Sequence, residues 1–170
     1  DGLDGWLIRH RELFSCRAPG NTCLSGLESM RASNDVAKND SKGCGGVMRV
    51  APIGMYYATL AGRESEGHNQ AMREAFELAC QAAAITHGHP TGQLASGTFA
   101  AIVMKLLLGL QLPQAIDAAL AHLKEQPGHE ETLHAIQQAC RLAKETPNDA
   151  DALAQLGGGW IAEEALAISV

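Results

Sequence analysis

The residues best suited to chemistry fall in three short stretches. In the first, Asn39-Asp40-Ser41-Lys42-Gly43-Cys44-Gly45-Gly46-Val47-Met48-Arg49, a glycine-rich loop runs straight into a predicted helix. Such a junction presents free backbone N–H groups and the positive end of a helix dipole, which together attract phosphate. Ser41 adds a hydroxyl and Lys42 a cation. The spacing matches neither a Walker loop, because Gly-Lys-Ser/Thr is absent, nor GxGxxG, because Met48 stands at the third glycine. A flexible loop whose glycines only permit tight turns is the competing reading. Arg49 reads as a structural residue rather than a phosphate ligand.

The second stretch is Thr86-His87-Gly88-His89-Pro90, at the end of a predicted helix. Two histidines two residues apart cannot share a helix face, so they do not build a joint metal site. One of them is expected to cap helix carbonyls or pack under a loop. The third is Leu156-Gly157-Gly158-Gly159-Trp160-Ile161-Ala162-Glu163-Glu164. Its glycines let backbone approach a ligand closely, and Trp160 offers a flat face for stacking. Equally, Trp160 could fill a core while the two glutamates favour a helix N-terminus. A further alternative joins Cys44, as a thiolate nucleophile near a helix start, to His87 as base. No third orienting group is evident for it.

These stretches need a scaffold, and composition indicates its kind. Hydrophobic residues make up 46% of the 170, charged residues 19% and aromatics 4%. Alanine-rich, aromatic-poor chains favour closely packed helices over sheets. Short helical pieces are predicted over 6–14 and, capped by Thr22, over 23–30, with a turn at 17–21 between them. A loop spans 32–46. Helical periodicity covers 47–61, with Pro52 either in the first turn or at a kink. It resumes over 68–85, ending at Gly88 and Pro90. The apolar stretch 92–110 predicts the most buried helix. Pro113 opens another to 126, Pro127-Gly128 breaks it, and an amphipathic helix follows over 130–145. After a turn at 147–149, Asp149 or Asp151 caps a short helix to 156, and a last helix starts near Trp160. The expected fold is all-α: a compact multi-helix orthogonal bundle in one domain over 1–170.

The net charge of −6 and the lack of a Lys/Arg cluster argue against a general nucleic-acid surface. The longest apolar run, 100–110, is interrupted by Lys105 and is too short for a membrane span. Five cysteines, at 16, 23, 44, 80 and 140, form no CxxC pair, so a reduced cytoplasm is the simplest compartment. A chain starting at Asp1 rather than Met reads as a processed or partial product. His122 and His134, on amphipathic helices, and His129, after the Pro-Gly break, read as surface residues, while His10 and His68 carry no signal.

Taken in order, Ser41-Lys42-Gly43-Cys44-Gly45-Gly46-Val47-Met48-Arg49, then Thr86 to Pro90, then Gly157 to Ala167, resemble the internal motifs of the ADP-ribosylglycohydrolase family. The early Arg17-Ala18-Pro19-Gly20-Asn21-Thr22-Cys23 is similar to that family too, so the resemblance spans essentially the whole chain. It implies an all-α hydrolase that cleaves ADP-ribose from an acceptor with two divalent ions, usually magnesium. It further implies that Ser41, Lys42 and Gly43 line the diphosphate, that Gly45 and Gly46 open the next helix, and that His87 faces the ADP-ribose. Gly158 and Trp160 match the segment beside the adenosine. Cys44 stands where several relatives have Asn. The Thr-Asp-Asp run and the second aspartate motif that hold the family's metals are not found in the sequence. The chain is therefore expected to be a partial domain, incomplete at both ends. It would be the substrate-binding middle of such an enzyme, hydrolysing little or nothing alone, with an exposed apolar patch open to self-association or a partner. A non-catalytic ADP-ribose-binding or crystallin-like structural role is the alternative.

Overall fold

Proline decides where several helices begin. Pro52, Pro90 and Pro113 each occupy the first turn of a helix, where a missing N–H costs nothing and a fixed φ helps. The computed structural model describes residues 10, 19–62, 67–147 and 149–170. In it, α1 spans Asn21–Ser33, a 3-10 turn Val47–Arg49, α2 Ala51–Ala61, α3 His68–Ala84 and α4 Pro90–Leu107. Then come α5 at Leu112–Leu123, α6 at Glu130–Glu145, a second 3-10 segment at Ala150–Leu156, and α7 at Ala162–Ser169. The fold is all-α. The only β-type pairing among the described residues is one antiparallel bridge, Gly43 with Ile161. Apart from His10, the helix expected over 6–14 lies outside the described residues, as do the first two residues of the turn at 17–21.

Boundaries differ from expectation for local reasons. Thr22 does not cap α1. The helix begins one residue earlier, with Gly20 at the cap position and no side-chain cap, and the Thr22 hydroxyl pairs instead with Ser41 Oγ at 3.1 Å. Asn34, left-handed at φ 57°, closes that helix. The pattern over 47–61 is two elements, because Pro52 starts a new α-helix after the 3-10 turn. Asp149 caps the second 3-10 segment through the Asp151 N–H. The last helix starts at Ala162, since Ile161 is extended and joined to the bridge.

The core is organised around α4, which packs against α2, α3, α5, α6 and α7. Twelve of its residues are buried, more than in any other described helix. Small side chains make this possible. A Cβ on Gly97 would lie 2.6 Å from Cys80 Sγ and 2.9 Å from the Phe76 carbonyl, so α3 and α4 meet closer there than any larger residue permits. Phe76, Ile102, Met104, Leu123, Ile136 and Leu166 fill the centre.

His122 corrects the expectation of a surface histidine. It is 4% exposed, its ring stacks edge-to-face on Phe76 at 4.7 Å, and its Nδ1 lies 3.0 Å from Arg73 Nη1. The apolar face of α5 carries it inward, where the Arg73–Glu125 pair satisfies it. His134 is exposed and His129 half-buried, its ring bonded to the Gln126 carbonyl.

Candidate functional site

The site begins with one asparagine. Asn39 Oδ1 accepts from the N–H groups of Ser41 and Gly88, and its amide donates to the Thr86 carbonyl at 3.0 Å. The His89 N–H adds a bond to the Ser41 carbonyl, and Gln93 donates to the carbonyls of His87 and Gly88. The first two motif loops are therefore one hydrogen-bonded unit. His89 caps α4, its Nδ1 accepting from the Thr91 N–H at 3.1 Å.

The third motif joins the first through the bridge: the Cys44 N–H donates to the Trp160 carbonyl at 3.0 Å and the Ala162 N–H to the Lys42 carbonyl at 2.8 Å. Lys42 reinforces it from its side chain. Its ammonium donates to Glu131 Oε2 at 2.7 Å and to Glu163 Oε1. Glu131 first and Glu163 second raise the Lys42 pKa, and Lys42 and then the Thr91 hydroxyl lower that of Glu131. Glu163 is 7% exposed, and its second oxygen, Oε2, is buried with no partner among the described residues. The Gly158 and Gly159 N–H groups both donate to Glu164 Oε2, at 3.1 and 3.0 Å.

These links wall a cleft of about 450 Å³ lined by Pro19, Gly20, Asn21, Thr22, Cys23, Gly43, Cys44, Gly45, Met48, His87 and Trp160. That volume lies in the range of small-molecule sites. Of the sequence candidates, Gly43, Cys44, Gly45, His87 and Trp160 come together there. Ser41, Lys42, Gly46 and Gly158 stand behind the wall. Ser41 Oγ takes the Gly43 N–H, Lys42 is held by its two glutamates, Gly46 packs on Ser96 and Ala83, and Gly158 is bonded to Glu164. Trp160, 82% exposed, fills no core and stands as an open aromatic face at the rim, with Met48 also exposed. Early in the chain, Asn21, Thr22 and Cys23 contribute wall as well, which composition alone could not indicate.

His87 forms the floor. It is 1% exposed, packed beneath the backbone of Gly43 and Gly45, where a Cβ on either would come within 3.4 Å of Nε2. Burial first, and then the charge of Arg49, hold its pKa below the ordinary 6.5. Arg49 serves structure, as its position suggested. Its guanidinium donates to the carbonyls of Ala82 and Ala83, at the C-terminus of α3, and to Thr86 Oγ1. Sequence reading passed over Thr86 and Asn39, although both lie inside motifs it singled out. Neither residue type signals chemistry.

Among the described residues no group of three or more His, Cys, Asp or Glu could hold a metal ion. No described helix is long and apolar enough to cross a membrane. Cys23, Cys44, Cys80 and Cys140 are free thiols. A second cleft of about 520 Å³ lies between α6, the second 3-10 segment and α7, lined among others by Leu142, Leu153, Leu156, Ile168 and Val170.

Fold and site together define an all-helical protein in which four separated segments converge on one cleft with a glycine wall, a histidine floor and an aromatic rim. The chain belongs to the ADP-ribosylglycohydrolase family, whose model matches residues 2–170. At that level it is a hydrolase of the ADP-ribosylglycohydrolase type. Comparison with curated proteins and with solved structures finds no match.

Proposed function

We infer that the cleft binds the ADP-ribose part of an ADP-ribosylated protein or small acceptor. The complete enzyme would cleave its N- or O-glycosidic bond with magnesium in the cytoplasm. One observation carries this reading: the segments around 19–23, 43–45, 87 and 160 line a single cleft although they are far apart in sequence. The amide of Gly45, which lines the cleft and has no bonded partner among the described residues, suits a diphosphate oxygen without a lysine cluster. Trp160 suits the adenine face. Ser41 and Lys42 act from behind, Ser41 by holding the Gly43 amide and Lys42 by tying the loop to α6 and α7. Gly158, bonded to Glu164, shapes the turn that presents Trp160. The part proposed for this chain is binding, because its sequence has no Thr-Asp-Asp run of the kind the family resemblance ties to the metals.

Titration calorimetry of ADP-ribose against the chain, paired with Trp160 fluorescence in a Trp6→Phe background, tests this. Heat of binding and a change in emission that Trp160→Ala abolishes are expected. Neither signal at millimolar ADP-ribose would refute it.

A further inference from the structure

His87 is a buried, titratable ring whose Nε2 has no partner among the described residues and whose edge faces the cleft. What it can do there depends on which nitrogen carries the proton, and a chain of three groups decides that. Arg49 can only donate hydrogen bonds. Its Nη2 lies 2.6 Å from Thr86 Oγ1, and also bonds the Ala82 carbonyl at 2.8 Å and the Ala83 carbonyl at 3.1 Å. Thr86 Oγ1 therefore accepts from Arg49 and keeps one proton of its own to give. Thr86 is 2% exposed, and among the described residues the only other hydrogen-bond partner of its hydroxyl is His87 Nδ1, at 2.8 Å. If His87 donated from Nδ1, the Thr86 proton would be buried without an acceptor, an arrangement folded proteins avoid.

We propose that Arg49 and Thr86 form a relay that fixes His87 as the Nε2–H tautomer, so that the ring meets a ligand in the cleft as a hydrogen-bond donor to an anionic or carbonyl-type oxygen. With its proton on Nε2, and Nδ1 occupied, His87 acts neither as a general base nor as a metal ligand. The pairing of Cys44 with His87 as nucleophile and base has no proton acceptor left to use. Burial and the Arg49 charge, which disfavour the imidazolium, act in the same direction. Arg49 and Thr86 are positioning residues: they touch His87 or each other, and do not line the cleft.

The ligand class rests on the ADP-ribose reading given above, whereas the tautomer does not, and the test separates them. Long-range proton–nitrogen correlation spectra of histidine-labelled protein, recorded ligand-free at mildly alkaline pH and assigned with His87→Gln, report which ring nitrogen is protonated. The expected result is a protonated Nε2 and a bare, hydrogen-bonded Nδ1. In Thr86→Val the Nδ1 signal should move toward that of an unbonded ring nitrogen, and in Thr86→Ser it should stay. A protonated Nδ1 in the wild type, or an Nδ1 signal that Thr86→Val leaves in place, would overturn the relay. ADP-ribose titration then reads the ligand class: Thr86→Val should bind about tenfold more weakly and Thr86→Ser as the wild type. If the tautomer is as stated but ADP-ribose does not bind, the relay stands and the ADP-ribose reading falls. Equal affinity in wild type and Thr86→Val overturns the relay's role in recognition.

Discussion

Lys42 lies between two carboxylates, and this changes what the residue contributes. A lysine beside a phosphate-type loop invites the reading of a charge reaching for the ligand. Here its ammonium is spoken for, and its work is to hold the glycine loop against α6 and α7. Glu163→Ala should therefore destabilise the fold by roughly 1–3 kcal/mol, since it removes a charge-assisted hydrogen bond from a mostly buried pair. Urea unfolding measures this, and an unchanged midpoint would refute it. His87 predicts a pH dependence with a definite sign. Its folded pKa is depressed, so the folded state binds its proton less readily than the unfolded one. Its contribution is complete above 6.5 and is lost as pH falls below that value. Unfolding curves between neutral and mildly acid pH should show this loss in wild type and a shallower one in His87→Gln. Burial pushes the Cys80 thiol up to about 12 and raises that of Cys140 too. Cys80 should react with iodoacetamide far more slowly than free cysteine at neutral pH, as mass spectrometry of the labelled peptide would show. At this scale the sequence displayed the glycines, His87 and Trp160 by their types and spacing. It did not display Asn39 or Thr86, because their roles come from partners distant in the chain.

At the scale of elements, the fit between α3 and α4 depends on Gly97. Val there would add atoms where Cys80 Sγ and the Phe76 carbonyl already lie within 2.9 Å. Despite the gain in helix propensity over glycine, overpacking should dominate and cost about 1–3 kcal/mol. For a chain of this size that is a fall of roughly 2–4 °C in Tm for each kcal/mol. Calorimetry showing an unchanged or raised Tm would refute it. The helices themselves were legible because alanine and leucine recur at three- and four-residue spacing, and because Pro52, Pro90 and Pro113 mark first turns. α6 matched its expected range at both ends. The misread points share one cause. Thr22 carried a capping signal, yet Ser41, far along the chain, took its hydroxyl. His122 was assigned to a polar face, yet Arg73 and Glu125 made its burial tolerable. Local pattern does not contain such partners.

At the scale of the whole molecule, the all-α class was readable from composition and helical periodicity, and family membership from four ordered motifs, which no single motif would have supported. The proposed division of labour leads to an activity prediction. Its sequence has no Thr-Asp-Asp run of the kind the family resemblance ties to the metals, so the chain should release little or no ADP-ribose from a modified acceptor, with or without added magnesium, while still binding free ADP-ribose. Chromatographic detection of released ADP-ribose measures this, and efficient magnesium-dependent release would refute it.

The bridge between Gly43 and Ile161 has a consequence in time as well as in space. The glycine wall of the cleft is encoded well before its aromatic rim, so a ribosome must deliver the long stretch between Gly43 and Ile161 before the two can meet. Pairings of such long sequence separation are entropically slow to close. A nascent chain released at Leu156 would carry the glycine loop and His87 without Trp160 or the strand-like partner that aligns the loop. The amide of Cys44 would then have no Trp160 carbonyl to bond and would exchange with solvent freely, and its slowing in the longer chain would mark the moment at which the wall and the rim of the cleft come together.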